Sequence, residues 1–150
     1  MRVVLQIAKD AEVKVNEEVI GSIPYGFLLL VGFTHDDTFE VIDKMAEKIV
    51  KLRIFPDENG KTNLSLKDVN GKILSVSQFT LYADTKKGNR PSFVSALGGE
   101  ASEKLYDYFN EKIVSLVGEP ISKGKFGADM KVRFTNDGPF TLVLDSKELF

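Results

Sequence analysis

The sequence predicts an α+β fold, with a mainly antiparallel or mixed sheet and two main helices in one domain over residues 1–150. Three observations predict it. Segments in which apolar and polar residues alternate outnumber the two segments with helical spacing. Few of those segments are separated by the helical crossovers that parallel strands need. The chain has 150 residues, 43% hydrophobic and 28% charged, near the average for one globular core.

Val3 to Ile7, then Ala11, Val13 and Val15, alternate with polar residues, and after Asn16-Glu17-Glu18 the pattern resumes in Val19 to Ile23. This is an opening strand and a hairpin. Pro24-Tyr25-Gly26 punctuates the chain. Phe27-Leu28-Leu29-Leu30-Val31-Gly32-Phe33 is apolar without alternation, as expected of a strand covered on both faces at the centre of a sheet. Thr34 to Asp37 offers capping oxygens and first-turn acids, so a helix is expected to start there. Ile42, Met45, Ala46, Ile49 and Val50 then recur at three- and four-residue intervals, which buries one face.

Pro56 to Gly60 is a turn signal, and the polar stretch on to Gly71 is expected at the surface. Lys72 to Tyr82 has strand composition, and Asp84 to Pro91 is a basic, glycine-containing loop. A second helix is expected from about Glu100 to Val117, stopped by Gly118 and Pro120. Met130 to Thr135 and Phe140 to Asp145 alternate on either side of Asn136-Asp137-Gly138-Pro139, and are expected to form a terminal strand pair with an unusual link.

Lys plus Arg total 20 and Asp plus Glu total 22, a formal charge of −2, which excludes a generally basic nucleic-acid coat. The absence of Cys excludes disulfides, thiolate metal sites and a cysteine nucleophile. The longest apolar run falls far short of the roughly 20 residues of a membrane span. The N-terminal residues carry no signal-peptide pattern, and a cytoplasmic location is expected. His35 is the only imidazole, and its position among capping residues suits an exposed junction better than a triad.

Two segments are less ordinary. In Ser75-Val76-Ser77-Gln78-Phe79-Thr80, hydroxyls and an amide crowd a strand-like stretch. Its simplest reading is a half-exposed strand with a wet side; the other is a pocket wall where Gln78 and the N–H groups near Phe79 and Thr80 meet a developing oxyanion. In Asn136-Asp137-Gly138-Pro139-Phe140-Thr141, the simplest reading is an edge turn. The other is a cis Gly138–Pro139 bond, a form taken by only about 5–6% of X–Pro bonds, whose carbonyls accept from an ammonium group. Lys86, Lys87 and Arg90, with Lys123, Lys125, Lys131 and Arg133, make either solvated loops or a rim for phosphates.

Taken together, these segments resemble the D-aminoacyl-tRNA deacylase family, also called D-tyrosyl-tRNA deacylase. The resemblance covers essentially the whole chain through Gln6, Arg53-Ile54-Phe55, Ser77-Gln78-Phe79-Thr80-Leu81, Arg90-Pro91-Ser92-Phe93, Leu105-Tyr106-Asp107-Tyr108-Phe109, Phe126-Gly127-Ala128-Asp129-Met130 and Asn136-Asp137-Gly138-Pro139 with Thr141. It implies a homodimer with a barrel-like sheet and a site at the subunit interface. Ser77, Gln78, Phe79 and Thr80 of one chain would be the catalytic segment, and Asn136, Gly138, Pro139, Thr141 and Met130 the substrate-binding residues. The implied reaction is hydrolysis of the ester between tRNA and a D-amino acid, or glycine mischarged on tRNA-Ala, with L-amino acids rejected by the Gly-Pro carbonyls. No cofactor or metal is implied, and neither a membrane nor DNA is expected as a partner.

An activated ester needs positioning and oxyanion stabilisation more than a strong base, which fits a chain without a catalytic histidine. Thr80 is accordingly read as a positioner of substrate or water, because neither segment supplies a base to activate it. Two alternatives share the scaffold: a non-catalytic module binding tRNA or D-amino acids, and a small-ester hydrolase using Thr80 or Ser77. The family usually carries Arg after Gln6, where this chain has Ile7, so any support that Arg gives the Gly-Pro loop must come from elsewhere. Thr62 stands where Met is common.

Overall fold

The computed structural model describes residues 1–150. Strands β1 (Arg2–Val15) and β2 (Glu18–Gly32) form one long antiparallel hairpin. Its two loop residues, Asn16 and Glu17, have φ of 50° and 66°, the positive values that a primed hairpin turn requires. The Pro24-Tyr25-Gly26 punctuation does not interrupt β2, because cross-strand pairing with β1 continues through Lys9↔Tyr25 and Ala8↔Gly26.

Helix α1 (Phe39–Lys51) starts later than the capping residues suggest. Asp37 is already engaged: it accepts from the Thr34 N–H at 2.8 Å and from the amino group of Met1. Thr38 is therefore the cap, accepting from the Val41 N–H at 3.3 Å. Strands β3 (Arg53–Pro56) and β4 (Thr62–Ser65) form a separate two-stranded sheet, so the polar stretch before Gly71 holds a strand that its composition does not show. Strand β5 (Lys72–Ser77) pairs in parallel with β2, from Gly26↔Lys72 to Val31↔Ser77. The expected strand over Lys72–Tyr82 thus ends at Ser77, and Phe79–Tyr82 is a 3₁₀ turn.

Helix α2 (Gly99–Val117) ends on Gly118, whose φ of 76° is the left-handed cap expected there. Short β6 (Ser122–Lys123) pairs in parallel with β5. Strand β7 (Lys131–Asp145) replaces the expected terminal pair: its two halves do not fold back on each other but run in line along β1. Helix α3 (Ser146–Leu149) closes the chain. The main sheet has the order β6-β5-β2-β1-β7, mixed as expected, with β2 in the middle and β6 and β7 at its edges.

The alternation of β1 and β2 decides the core. Val3, Leu5, Ile7, Phe27, Leu29 and Val31 pack with Ile42, Met45 and Ile49 of α1 and Phe109 and Ile113 of α2. Each such burial contributes about 1.5–3 kcal/mol. Phe27 stacks on Phe55 at 5.1 Å between ring centroids, which joins the small sheet to the large one. On the other face, Ala11, Val13, Leu28, Leu74 and Val76 form a smaller cluster on which Met130, Val132 and Phe134 are only partly buried. No helix is long and apolar enough to cross a membrane.

Asp57 shapes the turn between β3 and β4. Its Oδ1 accepts from the N–H groups of Asn59 (2.9 Å) and Lys61 (3.0 Å), and Oδ2 from Asn63 Nδ2 at 3.2 Å. The Lys61 N–H leads these groups in holding the carboxyl below its ordinary range. A folded-state pKa below the unfolded value adds stability above the unfolded pKa, and that stability is lost as pH falls through the folded one. Asp57→Asn is expected to be less stable than wild type in denaturant titrations at neutral pH, and the difference to narrow as pH falls below about 4.

Candidate active site

The site begins where β5 stops. Ser77 pairs with Val31, and the Gln78 N–H donates to the Val31 carbonyl at 2.7 Å. The next position on β2 is Gly32, where any Cβ would lie 2.7 Å from the Gln78 oxygen and 3.2 Å from Leu81 Cβ. Only glycine permits the chain to turn here. The turn is closed by Leu81 N–H donating to the Gln78 carbonyl (3.3 Å) and Ala83 N–H to the Thr80 carbonyl (3.0 Å). The N–H groups of Phe79 and Thr80, first in the 3₁₀ turn, have no acceptor within it.

Gln78 Nε2 donates to Thr80 Oγ1 at 2.6 Å, so the hydroxyl accepts from the amide and keeps its own proton to donate. The ring of His35, the only imidazole, contacts the Val94 carbonyl at 2.8 Å and makes no bond to this turn. Behind the strand, the buried Tyr106 hydroxyl donates to the Ser75 carbonyl at 2.8 Å and braces β5 against α2. Burial pushes the Tyr106 pKa up, so the phenol stays a neutral donor.

Ser77, Gln78 and Phe79 form one wall of a cleft of about 510 Å³. Gly98, Gly99 and Ser102 at the start of α2 form another, and Phe126 to Met130 a third. Met130 is thus brought to Ser77, Gln78 and Phe79, whereas Thr80 lies outside the lining, its hydroxyl tied to Gln78. Asp129, the only ionisable side chain in the lining, is paired with Lys131 at 3.2 Å. The α2 residues were missed from sequence, since Gly98 and Gly99 read as a loop and Ser102 as one polar helical residue.

Asn136, Gly138, Pro139 and Thr141 are absent from that lining and stand on β7. Ala8 pairs with Asn136 and Gln6 with Thr141, so residues 137–140 bulge out opposite the buried Ile7. Asn136 ties the base of the bulge: Oδ1 accepts from the Phe140 N–H at 3.0 Å and Nδ2 donates to Thr141 Oγ1 at 3.0 Å. Gln6 Nε2 also donates to that hydroxyl oxygen, at 3.2 Å. Gln6, Asn136 and Thr141 therefore brace the loop in a chain that has Ile7 where the family usually has Arg. The Gly138–Pro139 bond is cis, as expected, and both residues are exposed.

Free main-chain donors beside a cleft whose only ionisable group is an ion-paired carboxylate suit the hydrolysis of an already labile acyl bond. That chemistry is open to an ester hydrolase. The family model for D-Tyr-tRNA(Tyr) deacylase matches residues 4–145. The D-aminoacyl-tRNA deacylase of Lactobacillus acidophilus is 58% identical, with 97% of this chain and 99% of the relative covered. That of Bacillus cytotoxicus is 54% identical, with 98% and 100% covered. Among solved structures, the c-Myc DNA Unwinding Element Binding Protein superposes with a TM-score of 0.91 at 41% identity, covering 97% of this chain and 98% of its own. A structure described as a probable eukaryotic D-amino acid tRNA deacylase shares the fold, with a TM-score of 0.84 at 21% identity and coverage of 95% and 97%. The chain belongs to the D-Tyr-tRNA(Tyr) deacylase family and is an enzyme, a hydrolase of that class.

Gly138 has a φ of 135°, and a Cβ there would lie 3.1 Å from the Phe140 nitrogen. Gly138→Ala is expected to cost on the order of 1–3 kcal/mol locally. Asn136→Ala, which removes the tie, is expected to cost about 1 kcal/mol. Both are expected to lower deacylation at least tenfold in proteins whose circular dichroism is unchanged; wild-type rates in both would show that the loop's shape is irrelevant to the reaction.

Proposed function

We propose that the chain removes D-amino acids, and glycine mischarged on tRNA-Ala, from tRNA in the cytoplasm, acting as a homodimer. Each site combines Ser77, Gln78, Phe79, Thr80 and Met130 of one chain with the partner's Asn136, Gly138, Pro139 and Thr141, inside a barrel-like interior made by two sheets. The observation that carries this reading is the pair of free N–H groups at Phe79, which lines the cleft, and at Thr80, the next residue of the turn.

Water attacks the ester carbonyl carbon, and the π electrons move onto the carbonyl oxygen, which Phe79 and Thr80 receive. Collapse breaks the bond to the ribose oxygen. That oxygen leaves with the proton the water gives up, relayed by the neighbouring ribose hydroxyl. One such donor is worth roughly 10²–10³ in rate. Thr80 Oγ1, held by Gln78, positions the water or the substrate.

Shared occupancy is supported by the lining of the cleft, which includes Ser77, Met130 and Val132 but none of Asn136, Gly138, Pro139 and Thr141 of the same chain. A second copy supplies the missing loop to the first. Its Gly138 and Pro139 carbonyl oxygens accept from the substrate ammonium group. The mirror-image substrate would have to place its side chain in that loop, and L-aminoacyl-tRNA is rejected by lack of space.

Release of labelled amino acid from D- and L-aminoacyl-tRNA tests the proposal. The D form is expected to be freed far faster than in buffer and the L form at the buffer rate. A D form released no faster than in buffer would instead favour a binding module. Thr80→Ala is expected to stay within about tenfold of wild type, whereas loss of a nucleophile would cost several orders of magnitude.

A further inference from the structure

The 3₁₀ turn that presents Phe79 and Thr80 is built from residues that favour strands, and something outside it must hold it. Its start is fixed by Val31 and Gly32. Its end meets Arg2, the first residue of β1, which pairs with Gly32 on one side and with Asp145 of β7 on the other. A row across the sheet therefore runs Asp145, Arg2, Gly32 and then the turn. Arg2 Nη1 donates to the Leu81 carbonyl at 2.9 Å, while Nε donates to Asp145 Oδ2 at 2.8 Å. The guanidinium carbon also lies 4.6 Å from the centre of the Tyr82 ring, the last residue of the turn.

We infer that Arg2 is a positioning residue for the deacylation: anchored by Asp145, it holds the end of the 3₁₀ turn and so aims the Phe79 and Thr80 N–H groups at the reacting carbonyl. This rests on the reading of the site given above. Three features support it. The Leu81 carbonyl, at the end of the turn, finds its donor in a side chain 79 positions away. Tyr82 is buried under the guanidinium, so the turn cannot relax into a strand without breaking a cation–π contact as well as a hydrogen bond. Asp145 is suited to its part: burial alone would raise its pKa, yet Arg2 and the Lys147 N–H outweigh burial and keep it ionised.

Lysine carries the charge but not the fork, so Arg2→Lys cannot serve Asp145 and Leu81 together. It is expected to lower kcat roughly 10–100-fold, the scale of a small misplacement of reacting groups, with KM within about twofold and the preference for D over L unchanged. Amide hydrogen exchange at Leu81 and Ala83, whose N–H groups close the turn, is expected to speed up at least tenfold, with α1 and α2 unaffected. Asp145→Asn, which keeps a neutral acceptor, is expected to show the same pattern more weakly and without additivity to Arg2→Lys. It carries the test if Arg2→Lys does not fold.

Unchanged exchange at Leu81 and Ala83 in a folded variant would overturn the inference, as would faster exchange with kcat within twofold of wild type, or a loss confined to KM. The exchange measurement does not use the reaction. A wild-type chain that releases neither enantiomer would defeat the proposed function, and exchange at Leu81 and Ala83 would still decide whether Arg2 holds the turn.

Discussion

Parallel pairing of β5 with β2, and its abrupt end at Ser77, is the constraint on which the site depends. Up to Val31↔Ser77 the two strands share a ladder. One residue further, Gly32 lets the Gln78 carbonyl approach so closely that no side chain fits between them, and the chain leaves the sheet. A ladder consumes main-chain donors, whereas the start of a 3₁₀ turn releases them. Two free N–H groups therefore appear beside a cleft whose walls are the start of α2 and the segment before β7.

The loop proposed as the other half of the site is built by the opposite device. On β7 the pairing with β1 is interrupted rather than ended, and the extra residues are pushed outward as a loop between two intact stretches of ladder. Asn136 and Thr141 close its base with side-chain bonds, so the carbonyls at its tip keep a fixed direction without a side chain of their own. In the proposed reaction both devices meet the substrate with backbone atoms. Such a site would suit discrimination of handedness, because every L residue provides the same carbonyl and the selectivity would lie in where the backbone runs. It also explains why a chain with one histidine, no cysteine and one ion-paired acid in its cleft can be a hydrolase.

Much of the fold was legible in the sequence. Phe27 to Val31 lies at the centre of the sheet with both faces covered, the Asn16-Glu17 hairpin is where alternation breaks, and Gly118 ends α2. The failures share a physical cause, which is a partner far away in the chain. Phe79 to Tyr82 favours a strand locally, and only Gly32 and Arg2 forbid one. Asp37 belongs to Thr34 and Met1 rather than to the first turn of α1. The two arms around Gly138-Pro139 look like a hairpin, yet β1 is long enough to pair with both in line. The family resemblance put Met130 with Asn136, Gly138, Pro139 and Thr141, yet it lines the cleft with Ser77, Gln78 and Phe79; Ser102 was not legible at all, because a single serine in a helix carries no signal until the cleft beside it is seen.

A crystal structure of the chain with a D-aminoacyl adenosine in which an amide replaces the ester tests the central claim most directly. The amide carbonyl oxygen is expected within hydrogen-bond distance of the Phe79 and Thr80 nitrogens, with the ammonium group on Gly138 and Pro139 oxygens that come from the second copy. An analogue bound with its carbonyl turned away from those nitrogens, or with its ammonium group held by its own chain's loop, would contradict the account.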